Sequence, residues 1–141
     1  MKSVINSIFI LFLSISFSEE KIHFVYNAND DFFSMVGDFI HKSFSPKTYP
    51  CDLCALSYGT FYKKKKWANY LNSLDHEYTF IYKNESNSLL KFVDSYPAIL
   101  YQIKDDVKVI ATKFEISNCK NVDDLITLIN NKLIRLEKSI K

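Results

Sequence analysis

Glycine is almost missing from this chain of 141 residues: Gly37 and Gly59 are the only two. Neither opens a glycine-rich turn and there is no G-x-x-x-x-G-K-S/T run, so a phosphate-cradling nucleotide loop is excluded. An excess of one charge is also lacking. Lys and Arg number 18 against 16 Asp and Glu, a formal charge of +2, which is too small to make nucleic acid the default partner. The three histidines, His23, His41 and His76, are scattered; their spacing sets up neither a Ser-His-Asp arrangement nor a paired-histidine metal motif. No internal repeat or low-complexity stretch occurs. No apolar run comfortably reaches the about 20 residues that a membrane-crossing helix needs.

What is present suits one folded domain. Hydrophobic residues make up 48% of the chain and charged ones 24%, enough for a single core and too little chain for two comfortable ones. The opening "MKSVINSIFILFLSISFSEE" is of another kind. Lys2 precedes an apolar run from Ile8 to Phe17, and Ser16-Phe17-Ser18 stands as a small-x-small site before Glu19 and Glu20. That is the layout of a secretory signal. The expectation is a signal peptide over residues 1–18 and a domain over 19–141, exported to a periplasmic or extracellular space, with no stable membrane span after cleavage. An exported protein meets oxidising conditions, where a cysteine pair persists as a disulfide.

Along the domain, "IHFVYNAN" (22–29) alternates in the manner of a strand. Phe32, Val36, Phe39 and Ile40 then mark one face of a helix over 30–44, which Ser45-Pro46 stops. A loop delivers Cys51 and Cys54. Trp67, Tyr70, Leu71 and Leu74 form a second helical stripe, led in by Lys63, Lys64, Lys65 and Lys66, which as a helix would wind round it as a solvated face. "EYTFIYK" (77–83) reads as a second strand and "SLLKFVDS" (88–95) as one or two helical turns. "PAILYQI" (97–103) and "VKVIAT" (107–112) flank a Lys104-Asp105-Asp106 turn, a hairpin pattern. Asn121 caps a final helix with Asp124 three residues on, a variant of the capping box. The fold class is therefore α/β, a mixed sheet with helices on its faces, in the order β-α-α-β-(α)-β-β-α.

The chemistry concentrates in "TYPCDLCALSYGTF" (48–61). A Cys-x-x-Cys spacing serves a redox dithiol, half of a metal site, or two buried thiols. Pro50 suits a helix start, since it has no N–H to leave unpaired. A helix beginning there would expose Cys51 to its N-terminal field and shield Cys54, while Asp52 would work against the thiolate. Tetrahedral zinc needs two further ligands, and only Cys119, His41 and His76 could be recruited. A c-type haem is excluded, because Ala55 stands where Cys-x-x-Cys-His requires histidine. Cys119 is an odd thiol with a structural reading. Tyr58, Phe61, Tyr62 and Trp67 gather near the cysteines in sequence, as core or as an aromatic collar.

Two resemblances extend this reading. The element order resembles the thioredoxin fold, in which a cis proline begins the strand before the terminal hairpin and faces the redox cysteines; Pro97 of "SYPAIL" holds the matching place. Unlike thioredoxins, this chain sets a whole helix between the first strand and Cys51. The chain is also similar, over 24–129, to a poorly characterised family of small bacterial proteins that share "TYPCxLCALxYGxF", a "KKxW" helix and a proline-led late strand. Some of its members bear the label GTPase, which the missing phosphate loop rejects here. The resemblance to thioredoxin implies a site of Cys51, Cys54 and Pro97, a protein thiol or disulfide as partner, and no cofactor. The alternative is a non-enzymatic binding module whose cysteines form a structural disulfide or hold a metal.

Overall fold

The computed structural model describes residues 19–30, 52–59 and 63–140. The expected signal segment over 1–18 and, beyond Asp30, the expected helix over 30–44 lie outside these residues. Their order is β1 (Glu20–Tyr26), α1 (Asp52–Ser57), α2 (Lys65–Asn72), β2 (Glu77–Tyr82), a 3-10 helix (Ser88–Phe92), β3 (Ala98–Ile103), β4 (Asp106–Ala111), α3 (Lys113–Ser117) and α4 (Val122–Ile140). The fold is α/β, built on a four-stranded mixed sheet in the order β2-β1-β3-β4. β1 runs parallel to β2 and antiparallel to β3, and β3 runs antiparallel to β4.

Side-chain alternation along β1 divides the core. Ile22, Phe24 and Tyr26 point to a first face, where they meet Trp67 and Leu71 of α2 and Leu125, Ile129 and Leu133 of α4. Val25 points to the second face and packs with Ile81 and Leu100, under the partly buried Leu89, Leu90 and Val93. The pairs Phe24↔Ile99 and Ile22↔Tyr101 carry the first face across the sheet. Aromatic rings fill much of it: Phe24 lies edge-on to Trp67 at 5.3 Å, and Tyr26 stacks on Tyr82 at 6.0 Å.

Three boundaries differ from the sequence pattern. The hairpin turn is shorter than expected: Asp106 pairs with Ile103 and begins β4, leaving Lys104 and Asp105 as the turn, with Lys104 at φ 54°. The lysine run does not wind round a helix. Lys63 bridges to Tyr58, Lys64 occupies the N-cap, and only Lys65 and Lys66 lie in α2. Finally, α3 interrupts what reads as a plain link into the last helix. Its start is a capping box: Thr112 accepts from the Glu115 N–H, and the Glu115 carboxylate accepts from the Thr112 N–H at 3.0 Å. Such a cap satisfies backbone donors that the helix leaves open. Thr112→Ala should therefore destabilise the protein by about 1 kcal/mol in urea denaturation, with Thr112→Ser close to the parent. Equal losses in the two variants would show that the methyl group, not the cap, matters.

The helix over Val122–Ile140 starts as its sequence indicates. The Asn121 side chain accepts from the N–H groups of Asp123 and Asp124 at 2.8 and 3.1 Å. The Asp124 carboxylate reaches back one residue further than the usual box, to the N–H of Lys120.

Candidate functional site

The site is assembled from the end of β1. β1 and β2 are parallel and β3 is antiparallel to them, so the C-terminal end of β1 lies beside the head of β3, with Val25 opposite Ala98. Pro97 is buried immediately before that strand, and the Tyr96–Pro97 bond is cis, as the resemblance implies. At the same end, Tyr26 anchors α1. The Ser57 hydroxyl donates to the Leu53 carbonyl at 2.6 Å and so accepts from the Tyr26 hydroxyl at 3.3 Å. Burial pushes the Tyr26 phenol far above its ordinary range, outweighing the hydrogen bond shared with Ser57, which acts the other way. Tyr26 is thus a fixed neutral hydroxyl.

The six residues of α1 are held from every side described. Leu53 and Leu56 enter the first-face core, and α1 packs on α3 and α4. The loop behind it is closed by Lys64, whose N–H donates to the Ser57 carbonyl and whose ammonium donates to the Ala55 carbonyl, both at 2.9 Å. Lys63 follows with its ammonium 4.4 Å from the centre of the Phe80 ring, and burial lowers its pKa.

Cys54 sits on this helix with no exposed surface and is disulfide-bonded. Cys51 lies outside the described residues, as do Phe61, Tyr62 and His41. Cys119 is free and half-buried, its thiol directed at the Glu115 carbonyl at 3.6 Å. Burial first, and then the charges of Asp124 and Glu115, push that thiol up. Trp67 is fully buried and belongs to the core, not to a collar. Among the described residues no three His, Cys, Asp or Glu side chains are grouped to hold a metal ion, and no helix is long and apolar enough to cross a membrane.

Sequence reasoning passed over a second polar centre. His23, on the second face of β1, is buried with 4% of its surface exposed. Its Nδ1 lies 2.7 Å from the Thr79 hydroxyl and its Nε2 lies 2.9 Å from Oε1 of Gln102. The Gln102 amide nitrogen donates to the Lys104 carbonyl at 2.7 Å, which turns Oε1 toward the imidazole. Since Oε1 only accepts, Nε2 carries a proton; burial favours the uncharged ring, in which Thr79 donates to Nδ1. The ring is therefore held as one neutral tautomer. No sequence signal could find this, because the partners are 56 and 79 residues away.

No protein-family model, no curated protein and no solved structure matches this chain.

Proposed function

We propose that this is an exported thioredoxin-like protein that exchanges thiols and disulfides with partner proteins through Cys51 and Cys54. The observation that carries the reading is the disulfide at Cys54, on a helix tied to the end of β1 where β3 begins after Pro97. The strand order β2-β1-β3-β4, with one parallel and two antiparallel contacts, supports the same assignment. The chain has three cysteines and Cys119 is free, so Cys51 is assigned as the partner of Cys54.

In the oxidised form, a partner thiolate attacks Sγ of Cys51, the Cys51–Cys54 bond breaks, and Cys54 leaves as a thiolate that takes a proton. The second partner thiolate then attacks its own sulfur in the mixed disulfide and releases Cys51. Two electrons pass to this protein, which becomes the dithiol, and the partner becomes the disulfide. In reverse, Cys51 attacks a partner disulfide and Cys54 resolves. Cys51 directly precedes α1 in the sequence, and the Asp52 carboxylate of the first turn would oppose a thiolate beside it. Complete burial suits Cys54 to the resolving role. As a staple the bond would do little: a loop as short as Cys-x-x-Cys constrains the unfolded chain by about 2 kcal/mol, less than the ~3 kcal/mol of a 15-residue loop.

The intact mass of the protein from its natural host is expected to show loss of residues 1–18 and two thiols fewer than the fully reduced chain. Cys54→Ser should then accumulate mixed disulfides that a reductant releases and that Cys51→Ser does not form. Absence of mixed disulfides, together with a bond that resists mild reduction, would assign the cysteines to a stapled binding module instead.

A further inference from the structure

We propose that the outer edge of β4, with the cleft between β4 and α4, receives an extended acidic polypeptide segment as an added strand. This stands apart from the cysteine chemistry. β4 ends the strand order, and among the described residues it pairs only with β3. Ile103↔Asp106 closes the hairpin, so in an antiparallel ladder Asp106 and Lys108 bond to β3 while Val107 and Val109 turn N–H and C=O outward. Val109 is 41% exposed. A row of open donors and acceptors of this kind is what strand addition uses.

The charges beside the edge say which strand fits. A cleft of about 260 Å³ is lined by Lys108, Val109, Ile110, Lys132, Arg135 and Leu136. Lys108 pairs with Asp106 at 3.3 Å, and Lys132 pairs with Glu115. Arg135, the one arginine of the chain, is exposed and makes no ion pair among the described residues. Its planar guanidinium is suited to bind a carboxylate with two hydrogen bonds. Lys108 lies opposite Tyr101 and so on the first face, toward α4, whereas Val107 and Val109 lie on the second. An incoming strand that alternates acidic and apolar residues would set its carboxylates against Arg135 and the lysines, and its apolar side chains beside the valines. A second copy of this chain is disfavoured, because edge-to-edge pairing would bring the two sets of cations together.

The test uses the full chain and a labelled short peptide of alternating Glu and Val, read by fluorescence anisotropy. Binding is expected at low salt and should weaken as salt rises. Arg135→Glu should weaken it by about tenfold or more, while leaving the circular dichroism spectrum unchanged. Amide exchange at Val107 and Val109 should slow in the complex. A peptide with Lys in place of Glu, and one N-methylated at alternate residues so that it keeps its charge but loses its ladder bonds, should both fail to bind. Equal binding by the N-methylated peptide, an unaltered affinity in Arg135→Glu, or no binding up to the solubility limit would each overturn the proposal. So would a dimer in sedimentation that the peptide does not dissociate.

Discussion

Trp67→Ala should lower the free energy of unfolding by about 3–5 kcal/mol, the cost of truncating a large buried aromatic. Trp67 is fully buried, edge-on to Phe24 at 5.3 Å and tilted against Tyr70 at 5.6 Å. It matters beyond its area because of the helix that carries it. α2 has eight residues, opens with two lysines and has no side-chain cap; Trp67 and Leu71 are its buried residues. A helix so short does not persist alone in water, so its order depends on those two anchors. The indole N–H meets no acceptor in hydrogen-bond geometry among the described residues. Trp67→Phe therefore loses volume but also removes a buried unsatisfied donor, and should cost less than half as much as Trp67→Ala. Because this is the only tryptophan, the comparison needs circular dichroism in urea. A loss below about 1 kcal/mol for Trp67→Ala would mean that α2 is not part of the cooperative unit.

The second large effect is on acid stability. Burial lowers the pKa of His23 below 6.5, with the charge of Lys21 acting the same way and the Gln102 hydrogen bond acting against them. In the unfolded chain the imidazole takes up a proton first. Stability from this residue is thus fully present above pH 6.5 and falls as pH drops toward the folded-state value, by at most about 1.4 kcal/mol per pH unit for one proton. The surroundings offer the cation little: Thr79 and Gln102 are neutral, and Lys21 is itself engaged with Glu77 at 3.2 Å. Glu115 acts in a separate, lower window. Burial raises its carboxyl, but the bonds from Lys132 and Thr112 outweigh this and hold it below 4.5, so its contribution is lost only in stronger acid. His23→Gln should be nearly flat between pH 7 and 5 where the parent declines. A parent profile as flat as the variant's would refute the assignment.

Much of the sheet was legible because its signals are local. The alternation of Ile22, Phe24 and Tyr26 against His23 and Val25 gave β1 and its two faces. Two apolar runs around Lys104 and Asp105 gave the hairpin, and Asn121 with a stripe of Leu and Ile gave the last helix. Thr112-x-x-Glu115 is also a local signal, and it was masked by the β-rich run that precedes it. The lysine run misled because its four identical residues carry no pattern; what separates Lys63 from Lys66 is the bridge to Tyr58 and the Phe80 ring, neither of which a charge run encodes. At the candidate site, the Cys-x-x-Cys and Pro97 stood out by type. The support beneath them did not, since Tyr26 and Ser57 lie 31 residues apart and meet only when the sheet end forms.

Among the described residues the two faces of the sheet are covered differently. The first face is covered by α2 and α4 with a broad buried core. Among the described residues the second is covered by a five-residue 3-10 helix with no buried residue of its own, pinned at its start by the Asn87 side chain accepting from Leu89 N–H. That cover carries Leu89, Leu90 and Val93 onto Val25, Ile81 and Leu100, which are 0–2% exposed, so detaching it would wet a buried apolar cluster. The short helix is thus joined to the strands beneath it by its side chains more than by its own backbone.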